Sequence, residues 1–498
     1  MQSNAKKGFK NIFFGFSGQL IILALGIVVP RLILVGYGSE INGLVNTTNQ
    51  IYNYVSLLQA GIGQSAVVAL YKIKDRQGIS EVVSGTQHQF AIAGVLYLLC
   101  EIVTSLSLPF IVKSELPYFT IASMTFVSGL PNLISYFVAS AYIEVLTVDG
   151  KQYVISNITL ITTIMSSITK IVLANMQVDI ILLQAITCFV GCLKSLFVYI
   201  YFKRNYPWVK KTKTYDKSVF VDRAGYIKTQ IAWIVFSNTD VLLISCLLDL
   251  KAASVYSVYN LVFSAIYTLM NQVYISVGFL LGHEYNKSIE LYTKLHDAFD
   301  CFFDMLICST MAIAYAVIIP FIKLYTSGIS DVVYVNKLYP ILFCGVAILT
   351  WSRYAAGNLT SLAGYAKKIG NISMIEAGIN VLLSLMLIKV FGIAGALLAT
   401  VVALLYKSNY LITFVNRKVL KRSPLKTYRI LVPNVVLFMI LVGMFEYIIC
   451  ISISNYIEFM LKGIICSAII YPLFFVFNYL FNKNEIVYIF NAMRKAKE

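Results

Sequence analysis

Asp240 stands about thirteen residues into an apolar run that opens near residue 227, directly after Asn238 and Thr239. In a helix that depth is about 20 Å, near the middle of a bilayer. An ionisable group there costs about 2.5–3.5 kcal/mol to insert, so it must face a cavity or a partner. Asp240 therefore reads in two ways: a carboxylate that binds a cation or titrates, or a fixed partner for a basic side chain on another helix. Arg31, which follows Pro30, and Arg353, one helical turn before Gly357, carry guanidinium groups that can hold phosphate through paired hydrogen bonds. The alternative is a side chain that reaches out to the headgroups. Lys170 is a third candidate for the same task, whereas Lys194 and Lys407 sit where snorkelling explains them. Glu101, Glu376 and Glu446 are further acidic candidates. Asn49, Gln50, Asn53, Gln59 and Gln64 make one stretch amide-rich, with 49, 53 and 64 near helical spacing, and Asn260, Asn271 and Gln272 recur later. Amides can bond sugar hydroxyls, and they also hold membrane helices together.

The elements that must position these groups are membrane spans. Of 498 residues, 59% are hydrophobic and 13% charged, and the mean hydropathy is +0.77. That leaves too little polar surface for a water-soluble particle and excludes a cytosolic enzyme, a secreted disulfide scaffold and a disordered chain. Fourteen stretches are long and apolar enough to span: 11–35, 46–70, 89–111, 117–141, 153–174, 178–202, 227–249, 253–281, 300–322, 335–358, 369–389, 392–415, 430–451 and 457–481. The second and eighth are the least hydrophobic. The fold class is an all-α polytopic membrane protein without a large soluble domain.

Charge sets the orientation. With the N-terminus inside, 29 of the 40 basic residues fall on the inner side, five on the outer, and six within spans. This bias predicts cytoplasmic N- and C-termini. The basic loop with Lys210, Lys211 and Lys213 needs only anionic lipid as its partner, and no nucleic-acid motif accompanies it. The nine cysteines lie in or beside spans and imply no disulfide framework. His88, His283 and His296 map to inner loops or helix ends, which argues against zinc. The first stretch lacks a small-residue cleavage site and reads as an uncleaved span. There is no phosphate-cradling Gly-rich loop with Lys-Ser/Thr, so no ATPase chemistry is expected, and every outer connection is too short for a catalytic loop. No enzymatic role and no bound cofactor is expected; a proton or sodium gradient would supply the energy.

Weak internal similarity recurs at one offset. Ile155-Ser156-Asn157-Ile158 matches Ile369-Gly370-Asn371-Ile372 at 214, and Tyr71 falls opposite Tyr285 at 214. The offset maps span one onto seven and span six onto twelve, both copies entering from the same side. This predicts a parallel repeat, a pattern found among secondary transporters, with a substrate path between the halves. The divisions are 1–202 for the first lobe, 203–226 for a basic linker, 227–428 for the second lobe, and 429–498 for two more spans and a tail.

The runs Asn238-Thr239-Asp240-Val241-Leu242-Leu243-Ile244-Ser245 and Ala253-Ser254-Val255-Tyr256-Ser257-Val258-Tyr259-Asn260 resemble the seventh and eighth spans of Wzx-type polysaccharide flippases. These are lipid-linked oligosaccharide exporters of the multidrug/oligosaccharidyl-lipid/polysaccharide (MOP) superfamily. Glu376-Ala377-Gly378-Ile379-Asn380 with Phe391-Gly392-Ile393-Ala394-Gly395 looks like that family's eleventh-to-twelfth hairpin, and Pro30-Arg31 with Gly43-Leu44-Val45 is similar to its first. The resemblance implies two six-helix lobes around a cationic cavity, through which an undecaprenyl-diphosphate-linked glycan passes from the inner to the outer leaflet. Alternating access would be coupled to an ion gradient. By position, Arg31 and Asp240 lie on spans that line that cavity, and Arg353 and Glu376 on spans that can also face it. Together with the residues read above, the expected substrate contacts are Arg31, Arg353, Lys170, Asn49, Asn53 and Asn260, and the expected ion-coupling residues are Asp240 and Glu376. Other glycan-assembly membrane proteins are possible partners. Few arginines remain at mid-depth, a departure from the arginine-lined family pattern. The alternative is a cation-coupled exporter of small amphipathic compounds from the drug-efflux branch; a membrane glycan polymerase is the third reading.

Overall fold

The computed structural model describes residues 2–73, 75–212, 223–285, 288–448 and 451–495. The middle of the basic linker, together with Lys74, Lys213, Lys217, Lys287, Cys450 and Lys497, lies outside the described residues. Among the described residues there is no strand, and helices account for nearly the whole chain. In order they are α1 (Gln2–Val55), α2 (Ile62–Lys72), α3 (Arg76–Ile111), α4 (Tyr118–Val138), α5 (Ser140–Val148), α6 (Gln152–Asn175), α7 (Ile180–Asn205) and α8 (Arg223–Leu247). There follow α9 (Leu250–Tyr285), α10 (Ile289–Tyr325), α11 (Leu338–Trp351), α12 (Tyr354–Leu362), α13 (Ala366–Phe391) and α14 (Ile393–Phe414). The last three are α15 (Leu425–Tyr447), α16 (Tyr456–Phe481) and α17 (Lys483–Lys495).

Thirteen stretches among the described residues are long and apolar enough to cross a membrane. The first, Ile21–Gln59, has 39 residues, about 58 Å of helix against roughly 30 Å of hydrocarbon. It is broken at Gly38, where φ is 86° and ψ 174°, a left-handed backbone that glycine adopts without a Cβ penalty. Two expected spans therefore lie in what runs on as one helix, and the second continues past a 3-10 turn at Ser56–Gln59 into α2. That turn, followed by Gly61 at φ 76°, breaks the expected second span. Asn49 and Asn53 thus keep their i, i+4 spacing on α1, whereas Gln64 lies on α2, beyond the break.

The chain forms two compact units, Met1–Ser257 and Val258–Glu498. In unit one, two apolar clusters mark opposite ends of the bundle. One gathers Ile33, Ile41, Leu108, Ile121, Ala174 and Leu183, all from the predicted outer turns. The other gathers Leu70, Val82, Ala139, Ile155, Val198 and Val209, all from the predicted inner ones. The spans therefore alternate as the sequence pattern requires. A layer of Tyr52, Phe90, Tyr97 and Tyr136 lies between them. At the first end Gly43 presses on the Leu250 carbonyl, leaving no room for a Cβ, and Asn42 donates to Ser254 at 2.7 Å.

The repeat appears in the helix boundaries. α5 and α12 start 214 residues apart and end 214 apart; α3 and α10 start 213 apart and end 214 apart; α6 and α13 start 214 apart. α15 to α17 have no counterpart. In unit two α10 packs on α11, α15, α16 and α17, and α14 on α11 and α13. Both α3 and α10 begin more than ten residues before the expected spans, because Asp75 and Ser288 cap them early through Gly78 N (2.7 Å) and Leu291 N (3.5 Å). His296 consequently lies buried within α10 rather than in a loop or at a helix end.

Candidate functional site

Successive residues of a helix point about 100° apart, so Asn238, Thr239 and Asp240 on α8 fan over three directions. Each finds a different partner within unit one. Asn53 donates through Nδ2 to Asn238 Oδ1 at 2.8 Å, and Asn238 in turn donates to the Ile234 carbonyl at 2.9 Å. Tyr54 and Thr239 share a short hydroxyl–hydroxyl contact. Tyr256 donates to Asp240 Oδ2 at 3.1 Å. All three α8 residues are buried. The broken second span supplies the other side: Ser56 Oγ donates to the Asn53 carbonyl at 2.6 Å where the helix unwinds.

This network borders a cavity of about 330 Å³ lined by Asn53, Ser56, Gln230, Trp233, Ser237 and Asn238, with Ile234. Its volume falls at the lower end of the range for small-molecule sites, about 300–1,000 Å³. Trp233 is 54% exposed and brings a broad ring face, while the amides and hydroxyls bring both donors and acceptors. Such a wall suits a neutral, hydroxyl-rich group. Trp233 and Gln230 were not singled out in the sequence, although Gln230, Trp233, Ser237 and Asp240 follow helical i, i+3, i+7, i+10 spacing.

The remaining predicted residues are dispersed. Arg31 is half-buried on α1, seven positions before the Gly38 break. Lys170 is half-buried on α6, which packs along α1, and no ion pair or hydrogen bond involves its ammonium among the described residues. Asn49 is exposed, and Asn260 is half-buried in unit two. Glu101 on α3 is fully buried, against Tyr52 and Gly129, and neither carboxylate oxygen has a hydrogen-bond partner among the described residues.

In unit two, Arg353, Glu376 and Lys407 form a closed triad. Arg353 sits at the break between α11 and α12 and donates to Glu376 Oε1 at 2.5 Å, and Lys407 on α14 donates to Oε2 at 2.6 Å. Glu376 is 2% exposed. Lys407 thus turns inward to a carboxylate instead of snorkelling to headgroups. Both Glu376 oxygens are engaged, so a cation bound there would have to displace one partner. The triad carries two cations and one anion. One turn along α13, Asn380 donates to Thr400 at 2.8 Å and ties α13 to α14. A second buried ionic group lies on α10, where Asp297 is held by Arg422 at 2.8 Å and Lys426 at 2.7 Å. Asp300 lies 3.3 Å from His296.

The sequence matches no known protein-family model and no curated protein. Solved structures do share its fold. Lipid II flippase MurJ in an inward closed conformation aligns at TM-score 0.68 and 14% identity, over 94% of this chain and 99% of that one. An inward-facing multidrug resistance MATE transporter of the MOP superfamily aligns at 0.60 and 12% identity, over 86% and 98%. The Vibrio cholerae MATE transporter VcmN in the bent form aligns at 0.53 and 11% identity, over 88% and 99%. The chain is therefore a polytopic, all-helical membrane protein with the fold of MOP-superfamily transporters.

Proposed function

We propose that the protein is a flippase that carries a polyprenyl-diphosphate-linked oligosaccharide from the inner to the outer leaflet of a bacterial cytoplasmic membrane, driven by a proton or sodium gradient. The observation that carries this reading is the cavity walled by Trp233, Asn53 and Asn238. A ring face with convergent amides recognises sugar, and Asp240, buried two residues further along α8 against Tyr256, is the carboxylate proposed to take up the driving ion. Both termini lie in the cytoplasm in this reading, in keeping with the basic-loop bias. A polar glycan cannot cross about 30 Å of hydrocarbon unaided, whereas a wet, protein-lined path would let the polyprenyl tail stay in lipid. In this reading Arg31 and Lys170 of unit one bind the diphosphate, and the Arg353 triad supplies net positive charge within unit two. Asn49 and Asn260 are proposed to bond sugar hydroxyls, each within its own unit. Asp240 couples transport to the ion only if it binds that ion differently in the two access states.

Length supports lipid-linked cargo. The likeness to the lipid II flippase spans 94% of the chain, whereas the two MATE transporters match 86% and 88% of it. The competing reading, export of small amphipathic cations, draws on that MATE likeness and on the modest size of the cavity.

The test is rescue of surface glycan in a strain lacking its own oligosaccharide flippase and supplied with the matching glycan genes. Wild type should restore it, and Asp240→Asn and Trp233→Ala should lose most of it at equal membrane levels. Absence of rescue by folded wild type, with raised resistance to cationic drugs, would replace this reading with small-molecule export.

A further inference from the structure

A second cavity, of about 800 Å³, opens in unit one at the end marked by Val83, Tyr142 and Val209. Its floor is Ser84, Gln87 and Tyr142, with Gln87 Nε2 donating to the Tyr142 hydroxyl at 2.6 Å. Its rim is Lys203, Lys210 and Lys211. Among the described residues no acidic side chain lines it, and none of these three lysines has an ion pair. The rim is built rather than loose. Beyond α7, Tyr206 stacks on Phe202 with ring centres 4.8 Å apart, and Trp208 lies under the Arg76 guanidinium at 5.4 Å. Thr212 N then donates to Ser84 Oγ at 2.9 Å. Lys203 is poised 5.7 Å from the Tyr142 ring centre. Three like charges held around one concavity repel one another unless an anion joins them.

What leads away from the cavity names the anion's carrier. Ala91 on α3 forms part of its wall. From there α3 presents an exposed apolar stripe, Ile92, Leu96, Leu99, Val103, Leu106 and Phe110, at alternating i+4 and i+3 spacing. From the first to the last of these is about 27 Å of helix, close to the hydrocarbon thickness. Phe137, 49% exposed, flanks the mouth. From this juxtaposition we infer that the cavity is a binding site for a phosphate-headed lipid, its headgroup among Lys203, Lys210 and Lys211 and its chain along the α3 stripe. The inference is independent of the transported cargo: it stands on unit one alone and on residues remote in sequence from the Trp233 cavity.

The test is binding to the purified full-length protein in detergent, read by native mass spectrometry. The probes are dioctanoyl phosphatidylglycerol, dioctanoyl phosphatidylcholine and inorganic phosphate. Phosphatidylglycerol should bind at least about tenfold more tightly than phosphatidylcholine, since each lysine near an anionic headgroup is worth about 1 kcal/mol. Inorganic phosphate should compete poorly because it lacks the chain. The triple variant Lys203→Ala, Lys210→Ala, Lys211→Ala should lose the preference, and the three Lys→Arg changes should keep it. Ala91→Trp, which fills the cavity and leaves every charge, should also lose it. Should that variant fail to fold, Phe137→Asp at the exposed wall repels the headgroup and serves in its place. Equal binding of the two lipids by wild type would overturn the site. So would inorganic phosphate binding as tightly as lipid, which would make it a free-anion site. Retention of the preference by the filled or repelling variant would assign it to diffuse surface charge.

Discussion

The two units share a scaffold and use charge in opposite ways. Among the described residues, the ion pairs of unit one sit at helix ends, Asp149 with Lys151 and Glu40 and Glu115 with Lys251. Unit two buries its strongest pairs, the Arg353–Glu376–Lys407 triad and Asp297 with Arg422. At the 214-residue offset the triad positions become Ala139, Thr162 and Leu193. The break between α4 and α5 at Ala139 nevertheless recurs between α11 and α12 at Arg353. The break is therefore a property of the repeated backbone, and Arg353 is chemistry added to it. Unit two answers Glu376 and Asp297 from within, while Glu101 and Lys170 of unit one, like Asp304 of unit two, have no ion pair among the described residues.

The largest expected effect comes from opening the triad. Glu376→Gln removes the carboxylate between two cations and should cost about 3–5 kcal/mol, because it leaves buried charge uncompensated. Thermal unfolding in detergent reads this as a much lower midpoint or a loss of monodisperse protein. Replacing all three by Leu or Met should be neutral or stabilising by about 1–4 kcal/mol. If the triple variant is folded and still supports transport, the triad is structural; if it is folded and inactive, unit two's charges also serve the path.

Gly43 gives the next effect, this time in unit one. Any Cβ there meets the Leu250 carbonyl, so Gly43→Ala should cost about 1–3 kcal/mol through overpacking. Gly36→Ala on the same helix meets nothing within 4 Å and should be neutral or stabilise by about 0.5–1 kcal/mol. Parallel melting curves decide it, and equal midpoints for the two variants would remove the close approach as a constraint on the first hairpin.

Hydropathy made most of the architecture legible, since lipid forces every spanning backbone to close its own hydrogen bonds. The 214-residue offset, faint in residue identities, proved sharp in helix boundaries because packing conserves geometry better than side chains. What hydropathy could not show was set by local groups. Asp75 and Ser288 start α3 and α10 early through caps that no apolar count registers. Gly61 breaks the second span in a stretch whose amides looked continuous. Lys407 needed a visible partner before it could be told from a snorkelling lysine. Trp233 was passed over because aromatic residues are common throughout a bilayer protein; only the cavity beside it separates it from the rest.

The smallest effect lies at the edge of unit one, where ion pairs still meet water. Lys151 donates to Tyr206 at 2.8 Å and pairs with Asp149 at 2.9 Å, and Tyr206 donates to Asp149 at 2.5 Å. Burial works against the Lys151 ammonium, but these two partners outweigh it and hold it above its ordinary range. Burial, then Asp149, pushes the Tyr206 phenol up to about 12. Both groups keep their protons more tightly in the folded protein. Their contribution is thus complete below about pH 10 and is lost as pH rises through the folded values. Asp149 is 42% exposed, so solvent screens the pair and Lys151→Met should cost no more than about 1 kcal/mol at pH 7. The discriminating measurement is the melting midpoint between pH 9 and 12. Wild type should fall faster than Lys151→Met over that interval, so that the two curves converge at the alkaline end. Parallel curves would mean that the edge of unit one is held by the Phe202–Tyr206–Trp208 stack alone, leaving buried pairing in unit two as the ionic contribution to stability.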